Sequence, residues 1–370
     1  MFPVFSELAR VRSPQSGCNV GASLLAIAGK SGASSLLRKQ PRLPAAIAHA
    51  TNHGYLFGYF ARALGAVLLC ASSAVFGVEK RTAPELPDAC VGSRILSIVA
   101  HADDDLYFIN PAIDQAIARG ACVHTVVVTS GYVDDPDNSR RLAGLKAAYA
   151  FMARQSDEPL RLNWQEQWPL MADKPVQQLT LAGKPKIQLS FLHLPCGAHD
   201  EIRPRLPATL YELYTENDRS ETIGPQPGVP YDEAELVAVL AALIKSWDPD
   251  TVYTLQPTRK FPVRHSRPGG EGAHPDHVIV ARLVLTALIG QPRVRTVRLH
   301  DDYPIQDFPA NLSVEQATRK TEVLRAYCRE DVRGCANLET LRPACRSGQG
   351  EGWGEAWLCR HYPQRVPNRD

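Results

Sequence analysis

Two short clusters of polar residues have side chains of the types that bind a metal ion. The first spans residues 101–105 (HADDD), and the second, far downstream, spans residues 274–277 (HPDH). Three carboxylates and an imidazole within five residues concentrate negative charge, which a chain tolerates when water solvates it or a cation neutralises it. Two imidazoles and one carboxylate, from His101, Asp104 and His277, form a set of three ligands that leaves one coordination position of zinc open for water.

A metal ion held in this way predicts hydrolytic chemistry at a carbonyl group. Bound Zn²⁺ lowers the pKa of water to about 7 and polarises a substrate carbonyl. Asp103 is adjacent to a ligand but points elsewhere, so it is the candidate general base for that water. His274 precedes His277 by one helical turn, and as an imidazolium it would stabilise an oxyanion or protonate a leaving amine. The same set of two histidines and one carboxylate also suits iron(II).

Each cluster also has a simpler explanation when it is taken alone. Acidic residues such as Asp103–Asp105 complement the dipole at the start of a helix, and residues 274–277 are compatible with a solvated helix start. Both clusters, however, follow an apolar strand or a long loop and precede a helix. Their joint occurrence therefore favours one shared metal site.

The segments around the clusters follow the pattern of an α/β protein. The apolar runs Ile95–Ala100 and Cys122–Thr129 indicate strands that are buried on both faces, with a helix at Asn110–Arg119 between them. A strand, a helix and a strand in this order predict a parallel βαβ unit. Further helices are predicted at Tyr231–Trp247 and His274–Ile289.

The pattern changes between Leu160 and Leu194. Apolar and polar residues alternate there around a Gly-Lys-Pro turn, which predicts an antiparallel β insertion. The expected fold class is therefore α/β, with a Rossmann-like, mostly parallel sheet that is flanked by helices and carries an antiparallel β insertion. Open sheets of this kind bind ligands at the carboxyl ends of their strands, where the polar clusters are predicted to lie.

Across residues 93–330 the sequence resembles the PIG-L/LmbE-like family of zinc-dependent N-deacetylases. The family carries an Ala-His-Pro-Asp-Asp-(Glu/Asp) motif, which residues 100–105 match, and a His-(Pro/Ser)-Asp-His motif, which residues 274–277 match. A Thr-X-Gly segment of the family is matched at residues 129–131. The resemblance implies zinc ligands at His101, Asp104 and His277, a general base at Asp103 and an electrostatic partner at His274.

Three residues depart from the family pattern. Ala102 replaces the usual proline, Tyr132 stands where many members have glutamate, and Cys196 replaces the aspartate of a common Leu-Pro-Asp-Gly segment. Tyr132 and Cys196 lie at the expected rim of the substrate site, so the resemblance to the family does not identify the substrate of this protein. Arg140, at the start of a predicted helix, is our candidate for a substrate contact, and a surface arginine at a helix start is the alternative.

These observations predict a zinc-dependent hydrolase that removes an N-acyl group, such as acetyl, from an amino sugar or a similar small-molecule or glycan substrate. One alternative is an amidase of the same mechanism that acts on a thiol conjugate or an antibiotic. Another is a non-catalytic carbohydrate-binding protein that retains the metal site. A net charge of +2 over 370 residues gives no reason to expect a nucleic-acid partner.

The N-terminal region differs in composition from the rest of the chain. Residues 1–80 carry eight basic and two acidic residues and include an apolar run at residues 63–77, which resembles a secretory signal or an uncleaved anchor. We expect this leader to lie outside the fold, residues 81–330 to form the deacetylase domain, and residues 331–370 to form a cysteine-containing tail packed on it. Contact with a membrane is expected only through an uncleaved leader.

The positions of the cysteines indicate in which cellular compartment the protein is expected to function. Four of the nine, Cys328, Cys335, Cys345 and Cys359, lie near the C-terminus at spacings that match no compact zinc module. Two disulfides in a loop-rich tail would suit a protein that is periplasmic, secreted or membrane-anchored. Four free thiols in a cytosolic protein are the alternative.

Overall fold

The structure, a computed structural model, describes most of the chain from residue 90 onward. The described residues are 90, 92–131, 135, 137–154, 163–197, 207–258, 273–291, 293–332, 335, 345 and 354–367. The expected leader, residues 1–80, and Tyr132 lie outside them. Within the described ranges, every helix is too short or too polar to cross a bilayer.

Most strands of the described residues belong to one eight-stranded sheet. In chain order the strands are β1 (Arg94–Val99), β2 (Cys122–Gly131), β3 (Trp164–Gln167), β4 (Leu170–Met171), β5 (Lys174–Pro175), β6 (Gln177–Leu181), β7 (Ile187–Pro195), β8 (Ser220–Glu221), β9 (Pro230–Tyr231), β10 (Thr251–Leu255), β11 (Thr296–His300) and β12 (Pro363–Pro367). The order in the main sheet is β12-β11-β10-β1-β2-β7-β6-β3, while β4 pairs with β5 and β8 with β9.

The middle of the sheet is parallel and its edges are antiparallel. Strands β11, β10, β1, β2 and β7 run parallel to one another, and β12, β6 and β3 pair antiparallel with their neighbours. The predicted mostly parallel sheet with an antiparallel insertion is therefore confirmed.

One strand differs from the sequence-based expectation. The alternating pattern assigned β7 to the antiparallel insertion, but β7 pairs parallel with β2 and belongs to the core of the sheet. All nine of its residues are buried. Leu189 and Phe191 pack in the core on one face and Leu192 and Leu194 in the core on the other, so its alternating polar residues do not mark a solvent-facing side.

Helices cover both faces of the sheet. In the described residues the α-helices are α1 (Ala112–Ala118), α2 (Asn138–Ala153), α3 (Leu210–Thr215), α4 (Glu233–Trp247), α5 (Pro275–Ala287) and α6 (Val314–Cys328), and there are also a short π-helix at Asp105–Ile109 and 3-10 helices at Tyr303–Asp307 and Glu355–Cys359. Helices α1, α2 and α6 contribute to the core on one face, and α3, α4 and α5 to the core on the other. Side-chain caps define the starts of α4 and α6, where Asp232 and Ser313 accept hydrogen bonds from backbone N–H groups of the first turn.

The described part of the C-terminal segment packs on the same sheet. Strand β12 lies beside β11 at the sheet edge, and Trp357 and Leu358 are buried in the core that includes α6. Three disulfides are present among the described cysteines, joining Cys90 to Cys122, Cys328 to Cys335 and Cys345 to Cys359. The expected domain boundaries at residues 80 and 330 stay predictions.

Candidate functional site

The two polar clusters meet at the carboxyl edge of the sheet. Residues 101–104 follow β1 directly, and residues 274–277 form the start of α5, after the neighbouring strand β10. In the sheet, β2 lies beside β1 on one side and β10 lies beside β1 on the other, so the connections from β1 to β2 and into β10 run in opposite directions. The clusters therefore lie at the topological switch point, where open α/β sheets bind their ligands. His274 caps α5 and Pro275 occupies its first turn, which fixes where this helix starts.

Three of the expected ligands converge on a small triangle of donor atoms. His101 Nδ1 lies 3.1 Å from His277 Nε2 and 3.3 Å from Asp104 Oδ1. His277 Nε2 lies 2.9 Å from the same Asp104 oxygen. All three side chains are buried. Ligands that surround zinc tetrahedrally at about 2.0–2.1 Å are about 3.3 Å apart, so the triangle fits one face of a zinc coordination tetrahedron after small shifts.

Each of the two histidines has a carboxylate beside the nitrogen outside the triangle. His277 Nδ1 donates to Asp302 Oδ2 at 2.7 Å, and His101 Nε2 lies 3.4 Å from Asp276 Oδ2. Such carboxylates fix the tautomer, so that the lone pair of the other ring nitrogen is available to a metal. Neither role was predicted from the sequence. The available signal for Asp302 was an acidic residue soon after an apolar strand, at the same edge of the sheet.

The charges of the triangle depend on one another. Burial disfavours the charged imidazolium and by itself would lower the pKa of both histidines. The attraction of the Asp104 carboxylate is stronger than this effect, and it raises the pKa of His101 to about 9 and that of His277 to about 10. Burial likewise disfavours ionisation of Asp104, but the two histidines hold its pKa well below the usual range. Asp104 is therefore a buried carboxylate that requires a positive partner, either protonated histidines or a metal ion.

Asp103 lies between His101 and Asp104, the two residues after β1 whose side chains belong to the donor triangle. Its backbone carbonyl accepts hydrogen bonds from the N–H groups of Leu106 and Tyr107, at 3.1 and 3.0 Å, which fix the turn after β1. Its carboxylate is buried but does not belong to the donor triangle. The role of Asp103 as a general base stays a prediction.

His274 is held as a neutral imidazole. Its Nδ1 accepts a hydrogen bond from the backbone N–H of Asp276 at 3.1 Å, and its ring lies edge-on to His101 with 4.6 Å between centroids. Because a protonated Nδ1 cannot accept, the proton of this ring is on Nε2. A neutral ring fits this hydrogen bond better than the imidazolium considered from the sequence, and the catalytic role of His274 stays a prediction.

Asp105 completes the acidic cluster but faces the core. Tyr149 donates to Asp105 Oδ2 at 2.5 Å and is also hydrogen-bonded to Thr125. Burial raises the pKa of Asp105 to about 7. These contacts tie the turn after β1 to α2 and β2, so Asp105 positions the turn that carries His101 and Asp104.

A cavity of about 390 Å³ opens beside His101. Residues from β2, α2, β7 and the segment 223–225 line it. Polar groups come from Ser130, Asn138 and Arg141, and apolar surface comes from Leu142, Phe191 and Ile223. Its volume lies in the lower part of the range of small-molecule sites, about 300–1,000 Å³.

The arginine in this cavity is Arg141 and not Arg140. The Arg140 side chain is 51% exposed, pairs with Asp137 at 3.4 Å and does not line the cavity. Arg141 is buried, lines the cavity and places a guanidinium nitrogen 3.4 Å from Asp135 Oδ2. One residue along a helix rotates the side chain by about 100°, so neighbouring arginines on α2 face different surroundings.

Residues 96–288 match the PIG-L family, which is described as GlcNAc-PI de-N-acetylase. No curated protein matches the sequence. Similar solved structures include a deacetylase–teicoplanin complex from teicoplanin biosynthesis, at 18% identity over 70% of this chain and 95% of that chain with a TM-score of 0.39. N,N'-diacetylchitobiose deacetylase from Pyrococcus horikoshii is 13% identical over 66% and 72%, with a TM-score of 0.36. GalB, the 4-carboxy-2-hydroxymuconate hydratase from Pseudomonas putida KT2440, is 13% identical over 64% and 84%, with a TM-score of 0.34.

Proposed function

The chain belongs to the PIG-L family, and we propose that it is a metal-dependent hydrolase that removes an N-acyl group, such as acetyl, from an amino sugar or a similar small molecule or glycan. The observation that carries this proposal is the triangle of His101, Asp104 and His277 donor atoms, 2.9–3.3 Å apart. The neighbouring cavity of about 390 Å³ supports a small-molecule substrate or one sugar unit of a glycan. The description of the family supports an N-acetylated amino sugar.

We propose zinc as the metal. Two imidazole nitrogens and one carboxylate oxygen suit a catalytic zinc with an open position, although iron(II) accepts the same donors. When bound, zinc supplies a Lewis acid that polarises the acyl carbonyl and lowers the pKa of water. Asp302 and Asp276 support this assignment, because each keeps one histidine in the tautomer that binds a metal.

The chain supplies the proton transfers. Asp103 is the proposed general base, whose carboxylate accepts the proton of the attacking water and returns it to the leaving amine. His274 is the proposed electrophilic residue, whose Nε2–H donates to the carbonyl oxygen as negative charge develops there. A neutral donor suits this role, because it stabilises the oxyanion without first taking a proton from solvent.

The test compares acetate release from N-acetylglucosamine by the wild type and by two adjacent aspartate variants. Asp103→Asn should lower kcat by about 10²–10⁴-fold while zinc content stays at the wild-type level. Asp104→Asn should lose the metal as well as the activity. Asp218→Asn, a change at an exposed aspartate, controls for the change of charge.

Either of two results would contradict this proposal. Full activity of Asp103→Asn would remove Asp103 as the base. No release of acetate or amine by the zinc-loaded wild type from any N-acetylated amino sugar would remove the substrate class.

We also propose that the protein is exported. The three disulfides among the described cysteines support this, since disulfides persist in oxidising compartments. Alkylation and peptide mass mapping of the protein from its natural host should find these six cysteines oxidised. Alkylated, free thiols at Cys328 and Cys335 would argue for the cytosol.

A further inference from the structure

Strand β7 carries a bulge where it borders the cavity. Val127 pairs with Phe191, and Thr129 pairs with Leu194, so β7 uses one residue more than β2 over this stretch. Inside the bulge, His193 adopts the left-handed backbone conformation with a φ of 58°, which is uncommon for a residue that has a Cβ. Bulges beside functional sites turn a side chain out of its regular direction. Here the bulge makes His193 part of the cavity wall.

Both ring nitrogens of His193 are hydrogen-bonded. Nε2 lies 2.7 Å from Gln177 Oε1, and Nδ1 lies 2.6 Å from Ser130 Oγ. The Gln177 carbonyl oxygen can only accept, so Nε2 carries the ring proton. Nδ1 then accepts the hydroxyl proton of Ser130. Burial lowers the pKa of His193 to about 4, which keeps the ring neutral at pH 7.

The surroundings hold His193 in this unfavourable conformation. Gly224 packs against the ring so closely that a Cβ there would lie 2.3 Å from His193 Cγ. Ile223 N–H donates to the His193 carbonyl at 2.9 Å, and the rings of Phe191 and His193 stack with 5.8 Å between centroids. An unfavourable backbone conformation that is held in place by surrounding residues is typical of functional sites.

We propose that Ser130, His193 and Gln177 form a subsite that recognises a hydroxyl group of the substrate, with Ser130 Oγ as the hydrogen-bond acceptor. The hydroxyl proton of Ser130 is used by His193, so the Ser130 oxygen can offer only lone pairs to a bound molecule. A substrate hydroxyl can donate to it, whereas a deoxy or O-methylated position cannot. The substrate class in this inference, an N-acetylated amino sugar, rests on the proposed function.

The subsite would select among amino sugars and place them relative to the metal. Ser130, His193 and His101 line the same cavity, so a sugar hydroxyl held by Ser130 fixes the distance of the N-acyl group from the triangle. Losing one hydrogen bond between neutral groups weakens binding by about tenfold. We therefore expect Ser130 to contribute to substrate choice by about that factor at one hydroxyl position.

The experiment combines a variant with a series of substrates. N-acetylglucosamine and its single-deoxy analogues are tested on the wild type and on Ser130→Ala, by equilibrium binding in ligand-observed NMR and by kcat/KM for acetate release. In the wild type, one analogue should bind about tenfold more weakly than N-acetylglucosamine and have a kcat/KM about tenfold lower. In Ser130→Ala, this analogue and N-acetylglucosamine should have the same affinity and the same kcat/KM. The other analogues should respond equally in both proteins.

A matched control is available in the same pair of strands. Ser190 Oγ lies 2.8 Å from His124 Nε2, and neither residue lines the cavity. Ser190→Ala removes a buried serine–histidine hydrogen bond of the same kind, so a general effect of that loss appears in this variant too. It should keep the wild-type response to every analogue.

The outcomes separate this inference from the proposed function. Turnover with equal responses of wild type and Ser130→Ala to every analogue would overturn the subsite and leave the function standing. Binding with the expected response at one hydroxyl, but without release of acetate from this or any other N-acetylated amino sugar, would support the subsite and overturn the function. The absence of both binding and turnover would overturn both.

Discussion

Asp302 Oδ2 accepts a hydrogen bond from His277 Nδ1 at 2.7 Å, while Nε2 of the same ring faces Asp104 and His101. From the far side of the ring, the carboxylate therefore fixes both the tautomer and the direction of a histidine of the donor triangle.

Replacing this carboxylate should weaken metal binding without removing a ligand. We expect Asp302→Asn to lower zinc affinity by about 10- to 100-fold, measured by competition with a chromophoric chelator. Asp114→Asn makes the same change of charge at an aspartate that pairs with Arg319 and should keep wild-type affinity. Equal affinities for wild type and Asp302→Asn would show that Asp302 does not act on the metal.

The two adjacent arginines of α2 should differ in their effect on activity. Arg141 lines the cavity and is buried, whereas Arg140 is half-exposed and pairs with Asp137. We expect Arg141→Gln to lower kcat/KM by about tenfold or more, because a hydrogen bond to a charged group contributes about 1.5–3 kcal/mol. Arg140→Gln should stay within about twofold of the wild type. The opposite order would return the substrate contact to Arg140.

Removing the metal should destabilise the fold. The triangle holds a buried carboxylate, and a cation that binds only the folded state stabilises it by about 4 kcal/mol at roughly 1,000 times its dissociation constant. For a domain of this size that corresponds to roughly 8–16 °C in Tm. A chelator should therefore lower the Tm of the zinc-loaded wild type, as seen by calorimetry. It should not affect Asp104→Asn, and an equal shift in both would point to a metal bound elsewhere.

Buried neutral histidines should make the protein sensitive to acid. Burial lowers the pKa of His124 to about 3, against about 6.5 in an unfolded chain. Between these values the unfolded chain binds the extra proton, so the free energy of unfolding falls as the pH falls. The expected contribution is about 1.4 kcal/mol per pH unit.

Urea unfolding of the wild type and His124→Gln at several pH values from 7 to 4 measures this contribution. The variant should be less stable at pH 7 but lose stability less steeply on acidification. Ser190→Ala, which keeps His124 but removes its partner, should keep the steep wild-type slope. Parallel slopes for wild type and His124→Gln would show that His124 does not titrate in this way.

The parts of the fold that could be predicted depend on local signals. The apolar run of β1 and the helical patterns of α4 and α5 are visible in the sequence, and the structure has these elements there. The convergence of His101, Asp104 and His277 could be anticipated because parallel strands end at the same sheet edge.

The remaining features depend on pairings that the sequence does not encode locally. Asp302 reaches His277 only because β11 follows β10 in the sheet. Whether Arg140 or Arg141 faces the cavity depends on the rotation of α2 about its axis. A helix boundary read from sequence is uncertain by more than the one residue that decides between them. The His193 bulge arises from the register between β2 and β7, which no pattern within either strand specifies.

Apart from His101, which belongs to both, the donors of the triangle and the wall of the cavity come from different parts of the chain. The donors lie after β1 and on α5, while most of the wall lies on α2, β7 and residues 223–225. Under the proposed function, substitutions in the wall other than at His101 would change the substrate while leaving the donors of the triangle in place. For protein engineering, this division makes the wall segments the natural units to exchange between homologous enzymes.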